Sequence, residues 1–455
     1  MTLRVIHGGR GSAELMPGLL VTGASEVVTM AGGIRMGPGQ DDPGVLRAAD
    51  VGGVDAPDAP VVACWEGRVV AVGPREGVVA ALAAEGLPAS RFARLDADGG
   101  TITPGLIDPH THLLFAGTRE GELRLRQRGA GYLEILAAGG GILSTVAATR
   151  AATEDELLAH GRRWLDEMLA HGVTTVEAKS GYGLDPATEL RLLHVAGMLA
   201  EEGPVDVVAT YLGAHAVPPE FRSQPDAADA YVRSIVHDQL PLVAAQGIAR
   251  FCDVFCEDGV FSVEQSRTVL ESARAVGLDL RLHADEITPS GGAELAAELG
   301  VVSADHLAAP SEAGIEALAR AAAIGRPVVA TLLPATTWFL MTHHYAPARR
   351  LIERGVPVAL ASDFNPGTSP TPNLALVLTV ACLELGLTPS EALAGVTVNA
   401  AHALGLGNDV GSLEPERQAD LVIWRVPSHL QIPYFPGANL VRSVVKRGHI
   451  ILERA

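Results

Sequence analysis

Two rhythms of apolar and polar positions divide the chain. From Met1 to about Gly100, short apolar runs at Gly18–Val21, Ser25–Met30, Val61–Trp65 and Arg68–Val72 are broken by Gly, Pro and Asp and predict β-strands. Glu66-Gly67 is placed to close a hairpin between the last two. The Gly/Pro/Asp-rich stretch Gly32–Pro60 predicts an exposed loop, and Met1–Leu15 a disordered tail. After Pro104 the rhythm becomes strand then helix, repeated. Thr153-x-x-Glu156 is a capping box, followed at helical spacing by Leu157, Trp164, Leu165, Met168 and Leu169 until Gly172 stops the helix. Ser262-x-x-Gln265 opens another, stopped by Gly277.

Strands are expected near 106–112, 173–178, 206–213, 250–255, 279–284, 301–306, 327–333 and 356–362. Near-continuous apolar strands alternating with helices imply an α/β fold, a (β/α)8 TIM-like barrel, with an open doubly wound sheet as the alternative. Past Leu404 strands return without helices at Asp420–Trp424, Val441–Lys446 and Ile450–Leu452. The two β-rich ends bracket the barrel and are expected to pair into a small β-sandwich domain. The expected division is 1–104 for the amino-terminal part of the sandwich, 105–404 for the barrel and 405–455 for the carboxyl-terminal part.

Composition narrows the function. The chain has 455 residues, 48% of them hydrophobic, enough for a large core. With 34 Lys+Arg against 53 Asp+Glu the net charge is −19, so a nucleic-acid partner is not expected. Cys64, Cys252, Cys256 and Cys382 lack the spacing of a zinc site or a disulfide framework and are read as free thiols of a reducing cytosol. No stretch has the length of a signal peptide's apolar run or of a membrane span, so the expected protein is soluble and cytoplasmic.

In a barrel of this kind functional side chains gather at the carboxyl ends of strands. Those positions hold His110 and His112, then His215, His283, Glu286, His306 and Asp363. His110-x-His112 places two imidazoles on one side of an extended chain. Together with His283 and Asp363 they offer four ligands of the kind zinc accepts.

PGLIDPHTH, the HADE segment His283–Glu286, SADH ending at His306 and ASD ending at Asp363 resemble the amidohydrolase superfamily of metal-dependent barrel hydrolases. The strings FAGTREGELRLRQRGAGYLEI, GGGILSTVAATR, EAKSGYGL, LGAHAVP, DVFCEDGVFS, HADEI and SDFNPGT resemble its imidazolonepropionase family, densely from Pro104 to Gly411. The Gly/Pro/Asp-rich loop and the amino-terminal tail depart from that pattern. The resemblance implies hydrolysis of 4-imidazolone-5-propanoate to N-formimino-L-glutamate in histidine degradation, with a metal-bound hydroxide attacking the ring carbonyl. It implies one metal per chain, zinc or iron, on His110, His112, His283 and Asp363. It also implies that Glu286 orients or protonates a ring nitrogen, that His306 polarises the carbonyl, and that Asp363 accepts the water's proton. The propionate of such a substrate suits a guanidinium fork, and Arg119 is the candidate, helped by Tyr132, Tyr182 and His215. Asn365, Gly367 and Thr368 are placed to bring backbone groups against the ligand. Some superfamily members bridge two metals with a lysine. Here Lys179 follows the second strand and the fourth offers none, which favours one metal. A homodimer is expected. The competing reading is a metal-dependent deaminase of a nucleobase or formimino compound, which shares the histidine pattern but needs no carboxylate clamp and would release ammonia.

Overall fold

The computed structural model describes residues 4–5, 18–129 and 140–454. Eight parallel strands form one sheet in sequential order: β1 Leu106–Asp108, β2 Val173–Lys179, β3 Asp206–Ala214, β4 Phe251–Cys256, β5 Asp279–Ala284, β6 Ser303–His306, β7 Val329–Leu332 and β8 Val358–Leu360. Every residue of β1, β2, β6, β7 and β8 is buried, because helices cover the outer face and side chains fill the inner one. The sheet curls until its ends meet. Thr111 bridges Phe364 in parallel register, His112 N–H donates to the Phe364 carbonyl at 2.9 Å, and Asp363 N–H donates to that of His110 at 3.1 Å. The seam of the barrel therefore runs through the histidine pair and the aspartate.

The first strand is shorter than expected, ending at Asp108 instead of residue 112. Pro109 has no N–H to give a ladder, and pairing resumes only across the seam. Asp108 itself crosses that seam, accepting from the Ser362 N–H at 3.0 Å and from its hydroxyl at 2.5 Å. Both predicted capping boxes are present, on helices Glu154–Ala170 and Val263–Ala275.

The two ends of the chain build one β-structure. Thr101–Pro104 lies between Glu26–Val28, parallel to it, and Leu421–Trp424, antiparallel with Leu421 opposite Pro104 and Trp424 opposite Thr101. A second sheet of Gly18–Thr22, Pro60–Trp65, Arg68–Pro74 and Phe92–Asp96 packs on the first. Leu19, Val21, Val62, Ile102, Leu421, Ile423 and Val445 share the core between them. The Glu66-Gly67 hairpin forms, with both residues left-handed. At the junction with the barrel Gly105 has no room for a side chain: a Cβ there would stand 2.2 Å from Thr174 Oγ1.

Two expectations for the amino-terminal region need correction. Arg4–Val5 adds an edge strand against Leu452 and Glu453, whereas residues 1–3 and 6–17 lie outside the described residues. The Gly32–Pro60 stretch is not one exposed loop. Gln40 is fully buried, its Nε2 donating to the Val358 carbonyl at 3.1 Å and its Oε1 accepting from the Val358 N–H at 3.2 Å, while Ile34 packs on Val329, Ala359 and Ala403. The apolar foot of β7 and β8 needs a cover, and the polar, glycine-rich segment supplies it through one amide and one isoleucine.

Candidate active site

Three imidazoles converge at the carboxyl-terminal rim of the barrel. Nitrogens of His110, His112 and His283 lie within 4.8 Å of one another, all buried. Asp363 Oδ1 stands 3.6 Å from His110 Nε2 and 3.4 Å from His112 Nε2. Carboxylates orient two of the rings from behind: Asp305 Oδ2 is 2.7 Å from His110 Nδ1, and Asp253 Oδ2 is 3.0 Å from His283 Nδ1. An ionised carboxylate can only accept, so Nδ1 of His110 carries the proton and its Nε2 presents a lone pair, whereas at His283 burial is outweighed by the Asp253 charge, which raises the imidazole pKa above its ordinary value. The Nε2 atoms of His110 and His283 are buried without a hydrogen-bond partner. Orphaned buried nitrogens are costly, and aimed at a common point they fit a cation. Burial holds His110 and His112 well below the usual imidazole range, with Lys179 adding to this at His110 and His215 at His112, so both stay neutral as ligation requires.

A buried charge network supports the cluster. Lys179 Nζ lies 2.7 Å from both Glu177 and Asp253 and 3.7 Å from Asp305, while Arg281 reaches Asp305 at 2.8 Å. All five side chains are fully buried. Burial alone would raise Asp253 and Asp305, but the neighbouring cations outweigh it and hold both carboxylates ionised. Lys179 thus grips the carboxylates behind the rings. Glu177, Asp253 and Asp305 were not singled out from the sequence. Their signal was an acid inside an otherwise apolar strand run, as in Phe251–Cys256, where an unpaired charge would be prohibitive.

The other expected residues fall around this centre. Glu286 Oε2 is 3.6 Å from His306 Nε2, and both line a cavity of about 240 Å³ whose further wall includes Leu332, Thr336 and Leu340. Burial, with the Asp363 charge adding to it, pushes the Glu286 carboxyl up to about 8. Burial likewise lifts Asp363 to about 6, against a 2.6 Å hydrogen bond from Thr336 Oγ1. His306 and Asp363 both have left-handed backbones, φ 74° and 52°. For non-glycine residues that costs roughly 1 kcal/mol or more each, strain characteristic of functional positions.

His215 stacks on His112 with centroids 4.9 Å apart and planes 17° from parallel, and Tyr182 sits 5.7 Å from His112 and 5.4 Å from His215. His215 Nδ1 lies 3.0 Å from the Gly181 carbonyl, an acceptor, so its Nε2 is free to accept. The loop carrying Gly181 and Tyr182 is moulded on buried Glu189, which takes N–H donors from Gly181, Gly183 and Leu184 at 2.9, 2.8 and 2.8 Å. Glu189 also went unnoticed in the sequence, where it looks like any helical glutamate.

Arg119 differs from the expected open fork. Its Nε and Nη2 already bind both oxygens of Glu122 at 2.9 Å, and Arg126 contacts the same carboxylate at 3.0 Å. Two guanidiniums against one carboxylate leave one net positive charge, and Nη1 has no hydrogen-bond partner among the described residues. Gly367 makes room for it: a Cβ there would lie 2.1 Å from Nη1. Asn365 holds that turn internally, accepting from the Gly367 and Thr368 N–H groups at 2.8 and 2.7 Å and donating to Thr368 Oγ1 at 2.8 Å. Tyr132 lies outside the described residues.

A barrel with imidazoles and an aspartate converging at this rim defines the amidohydrolase class of metal-dependent hydrolases, and residues 224–451 match the amidohydrolase family. Solved structures of the same fold include a triazine hydrolase variant, TM-score 0.68 at 18% identity over 96% of this chain and 95% of that one. A zinc-bound adenosine deaminase from Xanthomonas campestris gives 0.63 at 19% over 95% and 92%. Two relatives are far nearer in sequence. The imidazolonepropionase of Geobacillus kaustophilus is 52% identical over 85% of this chain and 88% of its own length, and that of Symbiobacterium thermophilum 50% over 96% and 97%. The chain belongs to the imidazolonepropionase family.

Proposed function

We propose that the chain opens the ring of 4-imidazolone-5-propanoate with water to give N-formimino-L-glutamate, a step of histidine degradation. The observation that carries this reading is the pairing of a three-histidine cluster with a net-cationic Arg119–Glu122–Arg126 group at the same barrel rim. His110, His112, His283 and Asp363 would hold one metal ion, zinc or iron, which supplies Lewis acidity and lowers the pKa of a water at an open position. Arg119 takes the propionate through Nη1, and Gly367 lets the guanidinium approach. His215 and Tyr182 bound the ring beside His112. His306 donates to the ring carbonyl as charge develops on its oxygen, and Glu286, still protonated near neutral pH, gives a proton to a ring nitrogen. Asp363 accepts the proton released by the water. We further assign residues 1–104 and 405–455 to the sandwich and 105–404 to the barrel, and place the enzyme in the cytoplasm as a homodimer. No helix among the described residues is long and apolar enough to cross a membrane.

The test follows loss of the imidazolone chromophore, bound metal and ammonia in one purified sample. Ring opening without ammonia supports the reading. Ammonia release in step with turnover would make the enzyme a deaminase. His306→Ala should retain metal and lower kcat by about 10²- to 10³-fold, the scale for one lost transition-state donor; unchanged kcat would make His306 a packing residue. Glu286 sets a basic limb. Its raised pKa means that the proton is held below pH 8 and lost above it, so kcat/KM should fall as pH rises through about 8. Glu286→Gln should lower the plateau and remove that limb, and a limb that survives the substitution belongs to another group.

A further inference from the structure

Glu26, Ser390 and His429 lie outside the metal-facing rim and outside every string that carries the family resemblance. Glu26 is in the strand Glu26–Val28 of the sandwich, His429 opens the turn His429–Gln431, and Ser390 is in the helix Pro389–Gly395. Glu26 Oε2 lies 2.8 Å from His429 Nδ1 and accepts from the His429 backbone N–H at 2.9 Å, while Arg47 Nε stands 3.3 Å from Oε1. Burial would raise the Glu26 carboxyl, but the hydrogen bonds from His429 outweigh it and keep the group ionised. An ionised carboxylate only accepts, so Nδ1 carries the ring proton and Nε2 the lone pair. Ser390 Oγ, 3.1 Å from Nε2, must then be the donor. Serine, imidazole and carboxylate stand in the order and at the spacing that turns a hydroxyl into a nucleophile. Relative exposures of 8% for Ser390, 2% for His429 and 6% for Glu26 keep bulk water from competing for these bonds. The serine and the imidazole also border an open groove of about 500 Å³ that Asp41, Asp42, Arg47 and Thr388 help to line.

We propose that Ser390 is a second, metal-independent nucleophile that accepts acyl groups from small neutral or cationic esters, with His429 as its base and Glu26 as the residue that positions the imidazole. Ser390 Oγ bonds to the acyl carbon as its proton passes to His429 Nε2. The ester C–O bond breaks, and the leaving alcohol takes that proton. Water then adds to the acyl-serine by the reverse proton path, releasing the carboxylic acid and regenerating the hydroxyl. The groove selects against anionic acyl groups, because Asp41 and Asp42 stand on it and Arg47 is already engaged by Glu26. This activity is independent of the ring-opening reaction, so each reading stands or falls alone.

The test treats the intact, metal-loaded enzyme with p-nitrophenyl acetate and, separately, with a fluorophosphonate, followed by intact mass and peptide mapping. One acyl or phosphonyl group per chain is expected on Ser390. Ser390→Ala should abolish that label while leaving imidazolone turnover unchanged. His429→Gln should slow labelling by about 10²-fold or more, the lower end of what a positioned base contributes. Glu26→Gln should also slow it, with Glu26→Asp recovering part of the rate. If the three groups merely tether strand, helix and turn, Ser390→Ala changes thermal stability but Ser390 takes no label in the parent enzyme. An unlabelled Ser390, or equal labelling in His429→Gln, overturns the proposal.

Discussion

His110→Ala and His283→Ala are each expected to yield a folded protein with little bound metal and turnover reduced by about 10⁴-fold or more, the scale on which a catalytic unit fails when one member is removed. Each variant removes a ring whose Nε2 is buried without a hydrogen-bond partner. The fold should survive, because the carboxylates behind the rings keep other partners. Asp305 retains Arg281 at 2.8 Å, and Asp253 retains Lys179 at 2.7 Å. The contrast is with Lys179→Met, which strips a buried cation from Glu177 and Asp253 and, at about 3–5 kcal/mol for a broken buried pair, threatens folding itself. Metal analysis and a thermal melt on the same preparations separate these outcomes. Full metal occupancy in both histidine variants would remove His110 and His283 from the coordination set.

The second large effect is expected at Arg119. Truncating one partner of a buried charge pair costs about 2–5 kcal/mol, so Arg119→Ala should raise KM by about 30-fold or more while metal content stays full. Glu122 would not be stranded, since Arg126 at 3.0 Å and the Gly141 N–H at 2.7 Å still hold it. Arg119→Lys should recover only part of the loss, because an ammonium cannot bind Glu122 through two atoms and the substrate through a third. An imidazolone lacking the propionate provides the control. Should Arg119→Ala slow turnover of that truncated ring as severely as that of the full substrate, the arginine is not the carboxylate clamp. Gly367→Ala offers an independent check: its Cβ would collide with Nη1, so KM should rise without any change in charge.

Periodicity and cap chemistry made the eight barrel strands and two capping boxes readable from the sequence, while a third, Thr388 with Glu391, was not read. Those signals are local: a buried parallel strand must be apolar, and a helix must satisfy its first N–H groups. Histidines spaced by two, or lying at a strand end, were readable for the same reason. The partners behind them were not. Asp253, Asp305 and Lys179 lie far apart along the chain and meet only inside the barrel, and nothing local distinguishes Glu189 from a surface glutamate. The docking of Gln40 under β8 was likewise invisible, since its partner is a backbone more than 300 residues away.

The amino-acid sequence by itself determined which residue types stand at the strand ends, hence a barrel with imidazole and carboxylate side chains on one rim. Tertiary structure alone decided their protonation and their freedom. Closure between residues 110–112 and 363–364 brings Asp363 to the histidine pair. Asp305, held beside Lys179 and Arg281, fixes which nitrogen of His110 carries the proton, and Glu122 occupies one edge of the Arg119 fork. Such properties depend on desolvation and on charges a few ångströms away, which neither composition nor spacing along the chain can specify.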